Sequence, residues 1–198
     1  PGEMGSSVAA AARGNGHRVL WCSSGRSDAS RRRAGDAGLE AVDSAEALLA
    51  SAGIVLSVCL PHAAEAVARE AAAAGFTGIY ADANAVSPAT AARVDATVTA
   101  AGARFVDGGI IGPPAHTPGT TRLYLSGEAA PEIATVFGGS LLEPVVLDTG
   151  RYGASALKMA YAAWTKGSTA LDNLRIEAGF ILAGQDFLPA MQAVRPGH

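Results

Sequence analysis

The chain opens with "PGEMGSS" (Pro1–Ser7) and continues through an alanine-rich stretch to Arg13, "VAAAAR". Two glycines stand three apart, Gly2 and Gly5, at the head of a helix-prone segment. That is the spacing of the second and third glycines of G-x-G-x-x-G, in which the second lets backbone approach a pyrophosphate and the third lets the helix pack closely on its strand. Gly2, Glu3, Met4 and Gly5 are therefore candidates for the phosphate-binding turn of a dinucleotide site. The motif by itself is weak, and the remainder of the chain has to carry it.

Outward from this turn, short apolar runs alternate with helical segments. "RVLWC" (Arg18–Cys22), "IVLSVCLP" (Ile54–Pro61), "GIYADAN" (Gly78–Asn84) and "RFVDGG" (Arg104–Gly109) read as strands, and 5–13, 44–51, 62–74 and 88–101 as helices between them. Repeated strand–helix–strand units imply a parallel sheet covered on both faces. Ser87 before Pro88 reads as an N-cap and first-turn pair, and Gly75 and Gly102 as helix stops. "LYLSG" (Leu123–Gly127), a helix near 131–137 and "PVVLD" (Pro144–Asp148) close the sheet. From Gly153 to about Gly184 an apolar-rich segment without proline predicts one long helix. The fold class is thus α/β, a doubly wound, mostly parallel sheet over residues 1–152, followed by an interdomain helix and part of a helical domain over 153–198.

Composition narrows the function classes. Of 198 residues, 49% are hydrophobic, 15 are Lys or Arg and 18 are Asp or Glu, so nothing resembles a basic footprint for nucleic acid. Arg31–Arg33 reads as a solvated helix face. Cys22 and Cys59 lack metal-ligand spacing and read as buried reduced thiols, consistent with a cytoplasmic setting; no metal is expected. No run has the length of a membrane span, and no export signal is visible.

In an open α/β sheet, ligands bind outside the carboxyl ends of the strands. "SSGRS" (Ser23–Ser27) follows the "RVLWC" strand without an acidic residue before Asp28, where a ribose 2'-hydroxyl would want one. Ser24, Arg26 and Ser27 instead suit a 2'-phosphate, which predicts NADP, with NAD possible; Arg26 as a plain turn residue is the other reading. Leu60 and Pro61 end the next strand beside the cofactor, and His62 reads as a capping or surface residue. Asn84 and Ser87 could hold nicotinamide or substrate, or close the turn and cap the helix. On the long helix Lys158, Tyr161, Thr165, Thr169 and Asp172 fall on one face, either as a solvent stripe or as the lining of a cleft.

Together, "PGEMGSS", "DANAVSP", "FVDGGIIGPPAHTPGTTRLYLSG" and "GASALKMAYAAWTKG" resemble, in order and spacing, the beta-hydroxyacid dehydrogenase superfamily. This group contains 6-phosphogluconate dehydrogenase, 3-hydroxyisobutyrate dehydrogenase and imine reductases, and the likeness is greatest to a bacterial 6-phosphogluconate-dehydrogenase-like NAD(P)-binding branch. The resemblance covers Pro1 to about Leu171. It implies a Rossmann-type domain, a homodimer closed by a helical domain, and hydride transfer between nicotinamide and a small hydroxyacid, ketone or imine. It also implies that Lys158 is the general acid/base, with Gly108, Gly109, Gly112, Ser87, Tyr161 and Thr165 around the substrate. Such a family begins with a strand ending in glycine directly before Pro1, so the first strand is expected to be missing and the helical domain truncated. Two departures bear on the substrate. Ile111 stands at the family's carboxylate-binding serine and Pro113 at a following glycine, and Ala162 replaces an asparagine one turn after the lysine. A dinucleotide-binding module without turnover, and a transferase or epimerase on the same fold, are the competing readings.

Overall fold

A computed structural model describes residues 1–177, with side chains through residue 168. Its elements run α1 (Glu3–Gly14), β1 (Leu20–Cys22), α2 (Asp28–Asp36), β2 (Glu40–Val42), α3 (Ala45–Ser51), β3 (Ile54–Ser57), a 3₁₀ turn (Pro61–Ala63), α4 (Ala64–Ala73), β4 (Ile79–Asp82), α5 (Pro88–Ala100), β5 (Arg104–Ile111), β6 (Thr121–Ser126), α6 (Ala130–Phe137), β7 (Leu142–Val146) and α7 (Gly153–Glu177). The chain divides into two compact units, Pro1–Met159 and Ala160–His198. The first thus includes the opening turns of α7. The second contains the rest of that helix; the predicted continuation from 178 to Gly184 lies outside the described residues.

Strand order in the main sheet is β3-β4-β5-β6-β7, parallel except for the antiparallel β5–β6 pair. That exception follows from the connection, because the nine residues from Gly112 to Thr120 form a loop with no helix to carry the chain back across the sheet. β1 and β2 form a separate parallel pair. β2 went unanticipated, because Glu40–Val42 is too short, and at its start too exposed, to show an apolar run; α2 carries the expected arginine face, with Arg31 and Arg32 exposed and Arg33 half-buried. Among the described residues no ladder joins β1 to β3. Between them lies an apolar cavity of about 510 Å³, lined among others by Val8, Ala12, Leu20, Leu56 and Phe137. The small sheet is held largely through helices, with α3 against β1 and β2 and α1 against α2.

Alternation along the central strands puts a core on each face. Ile79, Ala81, Val106 and Ile110 pack with α1 and α6 through Val8, Ala12, Ile133 and Phe137. Tyr80 and Phe105 pack on the other face with α4 and α5 through Ala64, Ala68, Val94 and Val98. The predicted cap at α5 is present, with Ser87 Oγ accepting from Thr90 N at 3.2 Å and Pro88 in the first turn. Gly75 and Gly102 end their helices at φ +69° and +98°, a region other residues enter at a cost. Both cysteines are half-buried and unpaired, less enclosed than the sequence suggests. Among the described residues no helix is long and apolar enough to cross a membrane, and no cluster of His, Cys, Asp and Glu could hold a metal.

Candidate functional site

Gly2 is the N-cap of α1, in extended conformation and with no side-chain cap. The helix ladder begins with Ser6 N donating to Gly2 O at 2.9 Å. The amides of the first turn, Glu3, Met4 and Gly5, precede the first intrahelical donor, and such groups together with the helix dipole attract anions. A Cβ at Gly2 would meet nothing within 4 Å, so the space in front of the turn is open. Gly5 approaches Pro1 Cβ and Val58 O at ordinary contact distances, 3.6 and 3.8 Å from an added Cβ. Positive charge gathers here. Arg33 Nε donates to Pro1 O at 3.0 Å, which brings a guanidinium beside the turn.

At the carboxyl end of β1, Gly25 turns the chain at φ +66° and leaves Ser24 and Arg26 exposed. Ser27 Oγ caps α2 by accepting from Ser30 N at 3.3 Å. Of the three residues the sequence assigns to a 2'-phosphate, Ser24 and Arg26 face solvent and Ser27 has a helix to cap.

The ends of β3 and β4 are tied together by Asn84, whose side chain faces inward. Its Oδ1 accepts from Cys59 N at 2.6 Å, its Nδ2 donates to Ser57 Oγ at 2.9 Å, and its own N–H donates to Asp82 Oδ1 at 2.9 Å. Leu60 is 65% exposed and Pro61 opens the 3₁₀ turn. His62 and Ser87 are exposed. Asp82 is buried, its Oδ2 without a partner among the described residues. Burial raises its pKa to about 6 against the bonds from Asn84, with a smaller push from the Asp107 charge across the ladder.

At β5 the construction is denser. Asp107 is fully buried and sits at the amino end of α7. It accepts from Ser155 N (2.8 Å), Ser155 Oγ (2.5 Å) and Ser126 Oγ (3.2 Å). Burial raises its pKa, and these bonds oppose the rise. Next in the strand, Gly108 lies against Asp82 O and Ala83. A Cβ on Gly109 would come within 2.9 Å of Ala154 O and 3.2 Å of Lys158 Cβ. The glycines therefore admit α7 and β4 to close approach. Lys158, half-buried, donates from Nζ to Ile110 O at 2.7 Å. Gly112, at φ +128°, would bring a Cβ to 2.3 Å from Thr120 O. The loop after it is anchored on both sides: Thr121 Oγ1 donates to Pro113 O at 2.6 Å, and Ala115 N donates to Ser7 Oγ on α1 at 3.1 Å. Within the second unit, Tyr161 is exposed and Thr165 Oγ1 donates to Tyr161 O at 2.9 Å. The side chains of Thr169 and Asp172 lie outside the described residues.

The first unit therefore brings together, at the carboxyl side of its strands, the glycine turn, the Leu60–Pro61 turn and the end of β5, to which Lys158 of α7 is bonded. Asp82, Asp107, Ser126 and Ser155 were not singled out from sequence. A visible signal existed in "YAD" and "FVD", where a carboxylate ends an apolar strand and must find donors on folding.

A mostly parallel, helix-covered sheet with an uncapped glycine turn opening its first helix is the architecture of a Rossmann-type α/β domain. A family model for the NAD-binding domain of 6-phosphogluconate dehydrogenase matches residues 1–134, and the chain belongs to that family. Among solved structures it is similar to the conserved protein MTH1747, of unknown function and structurally similar to 3-hydroxyacid dehydrogenases, at 28% identity and TM-score 0.76, over 98% of this chain and 73% of that one. The fold is shared with 3-hydroxyisobutyrate dehydrogenase of Mycobacterium tuberculosis (18% identity, TM-score 0.72, 100% and 69% of the two chains). It is shared also with the reductive aminase of Aspergillus terreus in complex with NADPH and ethyl levulinate (22%, TM-score 0.73, 97% and 70%). No curated protein matches the sequence.

Proposed function

We propose that the protein is an NADP-dependent oxidoreductase that moves a hydride between nicotinamide and a small hydroxyacid, ketone or imine, with Lys158 as the proton-transfer group. The observation that carries the reading is the placement of Lys158. Asp107 fixes the start of α7, Gly109 lets that helix down onto the strand, and the ammonium reaches Ile110 O at 2.7 Å at the carboxyl end of β5. An ammonium has three donors, and the bond to Ile110 orients it. In this reading Lys158 gives a proton to, or takes one from, the oxygen or nitrogen of the reacting carbon. Ile111 offers a carboxylate no hydroxyl, which favours a ketone or an imine.

The residues present fit a dinucleotide. Open space beside Gly2 and the first-turn amides of α1 suit the pyrophosphate. Ser24 and Arg26, with the Ser27 backbone, would take the 2'-phosphate, while Leu60 and Pro61 flank the site. The bound cofactor supplies the hydride. Ser87, Gly108, Gly109 and Gly112 remain the residues of the first unit proposed around the substrate. Titration by fluorescence should show tighter binding of NADPH than of NADH, with Arg26→Ala narrowing the gap; equal affinities, or a preference for NADH, would remove the NADP assignment.

The same reading includes a homodimer. Leu157, Tyr161 and Trp164 stand exposed at 37%, 38% and 48%, spaced i, i+4 and i+7 on α7 as an association stripe would be. Light scattering should give a dimer at micromolar concentration, and a stable monomer would count against it.

A further inference from the structure

We infer that Asn84 is a positioning residue that clamps the Val58–Pro61 segment beside the glycine turn, so that one wall of the dinucleotide site is set before any ligand arrives. The inference rests on the cofactor reading above and assigns Asn84 a part in it other than contact. Asn84 is 2% exposed, and the groups of both its side chain and its backbone are engaged. A backbone N–H can only donate, so Cys59 N at 2.6 Å must face the side-chain oxygen, and the amide nitrogen is thereby turned to Ser57 Oγ at 2.9 Å. The residue itself is held by Asn84 N to Asp82 Oδ1 (2.9 Å) and by Val86 N to Asn84 O (3.0 Å). One side chain from the loop after β4 thus grips both the last residue of β3 and the second residue beyond it.

What it grips is next to the proposed pyrophosphate turn. Val58 O, one residue before the clamped amide, lies 3.8 Å from where a Cβ on Gly5 would stand. One residue after the clamped amide, Leu60 projects 65% exposed, and Ala63 N donates back to Leu60 O at 2.8 Å to close the 3₁₀ turn. The segment therefore runs from contact with α1 to an exposed apolar side chain, and its single side-chain tether to the neighbouring loop, among the described hydrogen bonds, is Asn84. Holding such a turn in advance removes ordering entropy from the binding step.

The test combines amide exchange at Cys59 with NADPH titration in the parent, Asn84→Ala and the milder Ser57→Ala. A core variant that removes no hydrogen bond of the turn, Val94→Ala, supplies the control for general destabilisation. For Asn84→Ala we expect Cys59 exchange to speed up by roughly tenfold, the scale of one net hydrogen bond, and NADPH to bind about five- to tenfold more weakly. Ser57→Ala should move both readouts in the same direction by less, and Val94→Ala should leave both near the parent values. Unchanged Cys59 exchange in Asn84→Ala would overturn the clamp. Faster exchange with unaltered NADPH affinity would overturn its positioning role, as would equal losses in Val94→Ala. Should the parent bind neither NADPH nor NADH, the cofactor reading would fall, and the exchange data would still decide the clamp.

Discussion

The carboxyl ends of β5 and β1 are built in opposite ways. At β5 a buried carboxylate takes three hydrogen bonds, two glycines are required by neighbouring backbone at 2.9 and 2.3 Å, and the ammonium of Lys158 is bonded to the strand. At β1 the strand has three residues, Ser24 and Arg26 are exposed, and open space surrounds Gly2 and Gly25. The end proposed for proton transfer is thus fixed by packing, whereas the end proposed for the cofactor presents donors and cations with little behind them. Substitutions at β5 should cost stability, and those at β1 and the glycine turn should cost binding.

The largest effect on stability is expected at Gly112. Its φ of +128° and the 2.3 Å approach of Thr120 O to an added Cβ combine strain with overpacking, so Gly112→Ala should lose about 3 kcal/mol or more in denaturant melts. A melt within 1 kcal/mol of the parent would show that the loop adjusts cheaply, and the contrast between the two ends would weaken.

A comparable effect is expected from pH. The Asp82 pKa is raised to about 6 from 3.8, so the folded state holds this proton more tightly than the unfolded chain. The resulting stabilisation is complete below about pH 4, falls between pH 4 and 6, and is gone above that, an amount of about 3 kcal/mol. Asp107 shifts in the same direction. Asp82→Asn keeps an acceptor for Asn84 N and removes the titration, so urea melts at pH 4 and 7 should show a smaller fall for the variant than for the parent. Equal falls would contradict the shift.

A matched pair sharpens the comparison further. Gly109→Ala forces a Cβ against Ala154 O and Lys158 Cβ and should cost about 1–3 kcal/mol. Gly2→Ala meets nothing within 4 Å and should change stability by less than about 0.5 kcal/mol, while weakening NADPH binding by crowding the approach to the first-turn amides. The opposite pattern, a stable Gly109→Ala and an unfolded Gly2→Ala, would reverse the assignment of the two ends.

The same contrast explains what could be read from sequence. Long apolar runs and caps gave away β3, β4, β5 and the Ser87–Pro88 start of α5, because each is dictated by its own residues. β2 escaped because its register comes from β1 through Leu20↔Glu40 and Cys22↔Val42, not from an apolar pattern of its own. The glycines of "DGG" were legible as close-approach positions, but not what approaches: Ala154 and Lys158 come from about 45 residues downstream. Asn84 was legible as a polar residue at a strand end. Its inward orientation depends on Cys59 N, 25 residues away in sequence, and no local rule reveals that pairing. Asp107 went unremarked because its donors on Ser126 and Ser155 are separated from it by 19 and 48 residues.

The central claim, that Lys158 transfers the proton at the end of β5 while the cofactor is held elsewhere, is tested most directly by single-turnover hydride transfer from NADPH with a panel of small ketones and imines. Parent and Lys158→Met would be compared, each with a parallel NADPH titration. Met retains an unbranched apolar stem and removes the ammonium. The account predicts NADPH affinity within about twofold of the parent and a rate lower by the roughly 10²- to 10⁴-fold that general acid/base catalysis supplies. A variant that turns over at the parent rate, or one that loses cofactor binding in step with turnover, would contradict it.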